Sequence, residues 1–328
     1  MQNALDLIAF ANGDPGTNEW AAMRSQMGHP EPFGLRMIGI GNENYGEEYY
    51  EKFAAVKKAI DAHYPGMLCI MAAGLNPDDD NHANAWKDAR ANYGDSVCID
   101  EHFYRNPDWV YTQLNRYDGY PRGTTKVFLG EYAAHGTYKG VKANSYQTAL
   151  AEAAFLTGVE RNGDVVELCS YAPLLCLAER GQWVHNLIYF NPYHVMKSAN
   201  YYVQQMYMAH QGTHVRNFAG NLPDGVCLSV TETDSKLIIK IINYAAVPQS
   251  VDIDCTAAIN RCRDSEGAET ASVIGLSCSD PEAVNELTFS GAPMYMVQPV
   301  RTELPVEKDC IHMEMEPTSF YVLEMERR

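Results

Sequence analysis

Two glutamates stand where short apolar runs break off. In MIGIGNENYG, residues 37–46, the run Met37-Ile38-Gly39-Ile40 gives way to Asn42-Glu43-Asn44. In TKVFLGEYA, residues 125–133, the run ends in Gly130-Glu131-Tyr132. Between them, SVCIDEHFY, residues 96–104, finishes in Asp100-Glu101-His102-Phe103-Tyr104, and DVVELCSYAPLL, residues 164–175, passes through Ser170-Tyr171. If these ends share one mouth, two carboxylates, an imidazole and several phenols converge there. Two carboxylates across a sugar ring are the minimal equipment for breaking a glycosidic bond. One gives a proton to the leaving oxygen, and the other attacks the anomeric carbon or activates water. Each needs its own surroundings to set its pKa, and different strands supply them.

Each of these residues also has a plainer reading. Glu43 precedes YGEEYYEKF, so it suits the acidic first turn of a helix. Glu131 suits a solvated strand end, His102 a hydrogen-bonded core histidine, and Tyr104 simple packing. Trp183, in ERGQWVHN, suits either a sugar-stacking platform or a loop anchor, and His29 in GHPEPFG suits a turn. Asp78-Asp79-Asp80 with Asn81-His82 lacks the glycine and the terminal glutamate of a calcium loop, and reads as a helix cap. No glycine-rich phosphate loop has the required spacing. The sequence therefore calls for no metal or organic cofactor.

Strands and helices alternate around these residues. Residues 35–42, 67–74, 96–104, 125–133 and 164–175 read as strands. Residues 47–64, 81–94, 107–119 and 145–163 read as the helices between them, and 191–212 contains a last helix. Runs apolar on both faces mark a parallel sheet covered by helices. Carboxylates at strand ends favour a (β/α)8 barrel over a doubly wound sheet, because barrel sites gather at the C-terminal ends of strands. Upstream lies a helix at about 2–11 and then an irregular segment, ANGDPGTNEWAAMRSQMGHPEPFG. After Gly212 the pattern becomes short alternating runs (GVCLSVTETD, KLIIKIINYA, SVDIDC, NELTFSG, CIHMEMEP, SFYVLEMER), the mark of an all-β sandwich. The division is 1–212 and 213–328.

The chain has 328 residues and a formal net charge of −17, a field that repels nucleic acid and anionic membrane surfaces and suits a neutral substrate. No apolar run is long enough to span a bilayer. Cysteines 69, 98, 169, 176, 227, 255, 262, 278 and 310 make an odd set without Cys-x-x-Cys spacing. They read as reduced, mostly buried thiols of a cytoplasmic protein. The N-terminus has neither the basic start nor the apolar core of a signal peptide.

The chain also resembles glycoside hydrolase family 51, the α-L-arabinofuranosidases. The resemblance is carried by ALDLIAFANGD, EWAAMRSQMGHPEPFGLRMIGIGNENYG, DEHFY, VFLGEYAAH and SYAPLL…WVHNLIYFN…YYVQQMY, which span nearly all of residues 2–212. It implies a retaining hydrolase acting on arabinofuranosyl-containing oligosaccharides or polysaccharides. Glu43 would be the general acid/base and Glu131 the nucleophile, with Asn42 on the sugar 2-hydroxyl. His102 and Tyr104 would line the subsite, Tyr104 holding the nucleophile, and Trp183 would be the aromatic of the strand-8 loop. Tyr171 stands at a strand-8 position where some members carry glutamine. By this alignment the five strands are barrel strands 4–8, and strands 1–3 lie outside the sequence. An open five-stranded sheet leaves backbone groups unpaired on both edges. The expectation is that the chain associates with copies of itself or aggregates through them. The alternatives are an inactive remnant or a subunit that binds carbohydrate or a partner and, within the enzyme class, a β-xylosidase or endoglucanase.

Overall fold

The computed structural model describes residues 1–136, 140–256 and 269–326, so Cys262 lies outside the described residues. The chain divides into two compact units: Met1–Phe103, Pro121–Glu131 and Asp164–Ser170 form one, and Tyr104–Tyr120, Tyr132–Gly163 and Tyr171–Arg328 the other.

The first unit holds most of a sheet whose strands are β1 (Met37–Ile40), β2 (Leu68–Ala72), β3 (Val97–Arg105), β4 (Lys126–Ala134) and β5 (Val166–Tyr171). They lie side by side in chain order. A doubly wound sheet reverses its order at a switch point; a sequential order is that of a barrel wall. β1 pairs with β2 in parallel, Met37 opposite Leu68 and Ile40 opposite Met71, and β2 pairs with β3, Cys69 opposite Val97 and Ala72 opposite Asp100. Cys69, Ile70, Met71 and Ala72 are all buried, as a strand covered on both faces requires. Helices α1 (Gln2–Asn12), α2 (Glu19–Gln26), α3 (Glu47–His63) and α4 (Asp80–Asn92) belong to this unit. Asp79 caps α4 by accepting the His82 N–H at 3.0 Å, which is the role expected of the acidic run.

α2 corrects the expectation of irregular chain at 11–34. Asn18 caps it, accepting the N–H groups of Trp20 and Ala21. Only Ala21 and Arg24 of its eight residues are buried, so it shows no apolar stripe to read. Arg24 is fully buried and donates to four carbonyls, those of Phe10 (2.6 Å), Gly13 (3.1 Å), His29 (3.0 Å) and Pro30 (2.8 Å). One guanidinium thus ties the Gly-His-Pro turn to the end of α1.

The second unit contains α5 (Pro107–Tyr111), α6 (Tyr146–Arg161) and α7 (Ala199–Ala209). α5 is far shorter than the helix expected over 107–119. The Thr112 hydroxyl donates back to the Trp109 carbonyl at 2.6 Å, and three-residue turns follow at Gln113, Arg116 and Asp118. Such side-chain bonds compete with helical propagation. α6 buries 13 of its 16 residues, so it is covered on all sides and not amphipathic. A small sheet combines β6 (Leu175–Leu177), β7 (Ile188–Phe190) and β8 (Val195–Lys197).

Eight further strands are β9 (His214–Val215), β10 (Val226–Glu232), β11 (Lys236–Asn243), β12 (Gln249–Asp254), β13 (Glu269–Ser277), β14 (Val300–Val306), β15 (Cys310–Met315) and β16 (Ser319–Glu326). Six form a sheet in the order β14-β13-β16-β11-β10-β9, and β12 pairs with β15. Leu228, Ile239, Ile241, Val273 and Leu323 of the larger sheet share one core with Val251, Ile311 and Met313 of the smaller, which is sandwich packing. NELTFSG makes only a bridge, Glu286 opposite Met294, instead of the expected strand. There the Asn285 side chain replaces a ladder, bonding the carbonyls of Lys197 and Val297 and the N–H groups of Met296 and Val297. On β11 the residue between Ile239 and Ile241 is Lys240, fully buried, whose Nζ is bonded to Glu160 of α6 and, at 2.6 Å, to the His210 carbonyl.

Candidate active site

The ends of β1 and β2 are fastened by one phenol. Tyr49 of α3 donates its hydroxyl to the Ile40 carbonyl at 2.5 Å and accepts the Ala72 N–H at 2.8 Å. Burial first of all, with the Asp100 charge adding to it, pushes the Tyr49 phenol up, so it stays a donor. Beyond Ile40 the chain turns through Gly41 (φ +90°), Glu43 (φ +54°) and Gly46 (φ +86°). A methyl group on Gly41 would collide with the Asn44 side chain and the Tyr49 ring, so only glycine fits. The Asn44 side chain accepts the Asn42 N–H at 2.9 Å, and the Gly74 N–H donates to the Asn44 carbonyl at 3.1 Å. Helix α3 begins only at Glu47, with Gly46 as its cap and Glu47 and Glu48 as its first-turn acids. Glu43 is therefore not a helix-capping residue. It occupies a left-handed backbone position that non-glycine residues seldom adopt.

β3 sorts its polar residues by parity, since alternate side chains of a strand face opposite sides. Glu101 is fully buried on one side, where His82 Nε2 meets it at 2.9 Å and Trp86 Nε1 donates to it at 3.1 Å. Asp100 and His102 face the other side. There His102 Nε2 lies 3.1 Å from Asp100 Oδ2, while Nδ1 lies 3.1 Å from Glu43 Oε1 and 3.6 Å from Glu131 Oε2. The His102 side chain is 2% exposed, against 27% for Glu43 and 31% for Glu131, so the ring is the floor and the glutamates open to solvent. Burial alone would lower the imidazole pKa. The Asp100 hydrogen bond and charge, then Glu43 and Glu131, outweigh it and raise it to about 9.

Carboxylate oxygens of Glu43 and Glu131 and a nitrogen of His102 lie within 4.8 Å of one another. Such a donor set has the composition of a divalent-cation site. A ligating imidazole must be deprotonated, whereas without an ion the acids around this ring raise its pKa and favour the protonated form. Its Nδ1–H serves as a donor between two carboxylates. The two glutamates thus meet at one histidine, each bringing a carboxylate oxygen to within 4.8 Å of the other.

Asn42 is exposed beside Glu43. Tyr104, Tyr171 and Trp183 belong to the second unit. Tyr104 is half-buried against Ala133, Tyr171 and Leu187, and its ring lies 5.2 Å from that of His185. Tyr171 is buried; its hydroxyl donates to the His185 carbonyl at 2.8 Å and accepts from Asn144 Nδ2 at 3.1 Å. Trp183 is 57% exposed, and its carbonyl accepts from the Asn186 side chain at 2.6 Å. Three contributors have no role that residue type and spacing alone assign: Tyr49 within a helix, Gly41 within a turn, and Asp100, for which the parity it shares with His102 is the one signal in the sequence.

A parallel strand–helix sheet in sequential order, carrying two glutamates on one histidine, is followed by a β-sandwich, and the sheet has the strand order of the barrel class of folds. Residues 1–122 match the model of the α-L-arabinofuranosidase 1 domain, and residues 130–319 match that of the α-L-arabinofuranosidase C-terminal domain. The chain belongs to the α-L-arabinofuranosidase family. An extracellular exo-α-L-arabinofuranosidase of Streptomyces chartreusis is 43% identical over 216 residues, covering 66% of this chain and 25% of that protein. α-L-Arabinofuranosidase 2 of Arabidopsis thaliana is 28% identical over 98% of this chain and 45% of that protein. Among solved structures, the arabinose-bound MgGH51 α-L-arabinofuranosidase superimposes with a TM-score of 0.82 at 27% identity, over 99% of this chain and 51% of that one. The Thermotoga maritima arabinofuranosidase shares the fold, with a TM-score of 0.74 at 19% identity. The chain thus spans from a quarter to about half the length of these relatives.

Proposed function

We propose that the chain carries the working carboxylates of a retaining α-L-arabinofuranosidase that releases terminal arabinofuranosyl groups from arabinose-containing glycans. The observation that carries this reading is the clustering of Glu43, Glu131 and His102 within 4.8 Å. Glu131 forms a bond to the anomeric carbon as the bond to the leaving oxygen breaks, and Glu43 gives its proton to that oxygen. Water then displaces Glu131 while Glu43 takes the water proton. Asn42, beside the acid, binds the sugar; His102 lines the subsite, and Tyr104, Tyr171 and Trp183 complete the assignment. In this reading residues 1–212 form the barrel part and 213–328 the sandwich, and the eight described thiols suit a reducing compartment.

The test is turnover of an aryl α-L-arabinofuranoside by the parent, Glu131→Ala and Glu43→Ala. The reading expects loss of turnover at Glu131, and in Glu43→Ala a covalent sugar adduct on Glu131 visible by mass spectrometry. Equal turnover by Glu131→Ala removes the mechanism. Binding of arabino-oligosaccharides by a parent without turnover supports a carbohydrate-binding subunit instead.

A further inference from the structure

We propose that Asp100 is a positioning residue for the two glutamates: by holding Nε2 of His102 it aims the opposite ring N–H at Glu43 and Glu131 together. This rests on the reading of those glutamates as acid/base and nucleophile. The geometry is specific. Asp100 and His102 share a face of β3, and the Asp100 Oδ2 to Nε2 distance equals that from Nδ1 to Glu43, 3.1 Å. The other oxygen of Asp100, Oδ1, is buried with no hydrogen-bond partner among the described residues. Buried polar atoms are almost always satisfied, and a pairing that served stability alone would satisfy both oxygens. A half-satisfied carboxylate beneath a histidine is held there for what it does to the ring.

Gly130 is the second half of the device. It directly precedes Glu131 on β4, and a Cβ at this position would overlap Asp100 Oδ1 and come within 2.7 Å of the Phe128 ring. The missing side chain is the space the Asp100 carboxylate occupies. The titratable groups facing the ring are Asp100 from β3, Glu43 from the β1 loop and Glu131 from β4, with the Tyr49 phenol of α3 near Asp100. Three acids on one imidazole keep it cationic through neutral pH. The cation steadies the charge on Glu131 before it attacks and the charge on Glu43 once its proton has left, the two side chains lying within 4.8 Å. Without the Asp100 charge the ring loses its proton at lower pH, and both effects go with it.

The experiment follows the His102 ring nitrogens by NMR in the full chain labelled with nitrogen-15 at histidine, comparing parent and Asp100→Asn. In the parent at pH 8 both nitrogens carry protons, a result that needs no variant. In Asp100→Asn the titration midpoint falls by about one pH unit or more. Where turnover is measured, kcat falls with KM unchanged, and the alkaline limb of the profile moves down in step with the ring. A neutral ring in the parent at pH 8, or an unmoved midpoint in the variant, overturns the proposal. So does a variant with reduced turnover but an unmoved pH profile, which marks a packing role only. The ring measurement is independent of turnover. Equal activity of Glu131→Ala therefore sinks the functional reading and leaves the Asp100–His102 result to be judged by itself.

Discussion

Tyr49→Phe isolates a single hydroxyl that fastens two strand ends. The ring is 9% exposed and keeps its packing, so the change removes only the bonds to the Ile40 carbonyl and from the Ala72 N–H. Each such bond is worth about 0.5–1.5 kcal/mol net, and a buried donor left without its acceptor costs about 1–3 kcal/mol. Ala72 is 2% exposed, so water does not replace the hydroxyl. The expected loss of local stability is about 2–4 kcal/mol. The assay is native-state hydrogen exchange at the Ala72 amide, where this loss reads as roughly 30- to 700-fold faster exchange. Amides of Gly41, Asn42 and Glu43 speed up with it, because the Ile40 anchor of their loop is released. Unchanged protection at Ala72, with global stability within about 0.5 kcal/mol of the parent, would refute the claim that this phenol sets the position of Glu43.

Two further predictions concern the second unit. Lys240→Met removes a fully buried ammonium that Glu160 compensates, and costs about 3–5 kcal/mol in a urea melt, whereas Lys240→Met with Glu160→Gln recovers most of it; additive penalties would contradict a coupled pair. Burial raises the Glu152 carboxyl to about 8, against the opposing pull of the nearby Asn200 and Gln204 side chains and of the Ala134 N–H that it accepts at 2.9 Å. Its folded pKa lies above its unfolded one, so the native state binds more protons and stability falls as pH rises from about 4.5 to about 8, by up to about 1.4 kcal/mol per unit. Glu152→Gln flattens that slope. The window is pH 5 to about 6.5, below the range where His102, raised to about 9, adds a slope of the same sign; His185, lowered by burial to about 4, adds an opposite slope to both proteins there, so the readout is the difference between them. An equal slope in both proteins there would show that Glu152 ionises as freely folded as unfolded.

The strands and the meeting of Glu43 with Glu131 were legible because buried runs that stop at polar residues leave a one-dimensional trace. Met37–Ile40 ends before Asn42-Glu43, and β4 carries Glu131 past its midpoint. The order β1 to β5 could likewise be read from unbroken alternation of strand and helix. What escaped depends on distances across the chain. Helix α2 is held by Arg24 reaching four carbonyls, which leaves no periodic stripe. α5 stops early because Thr112 turns its hydroxyl back on the helix. The roles of Gly41 and Gly130 are defined by which atoms approach them, Asn44 and Tyr49 in one case and Asp100 in the other. Spacing along a sequence carries no such information.

The parity of β3 has a consequence for how this family of chains can diverge. Asp100, Glu101 and His102 are assigned to their two sides by odd and even position alone. Losing or gaining one residue upstream within β3 would exchange the sides, carrying Glu101 towards Glu43 and Glu131 and swinging His102 towards Trp86. Substitutions here can be graded and repaired singly, but a length change rewrites both sides at once. Lineages that keep the chemistry should therefore vary this segment in letters and not in length, with insertions confined to the turns on either side of Val97–Arg105.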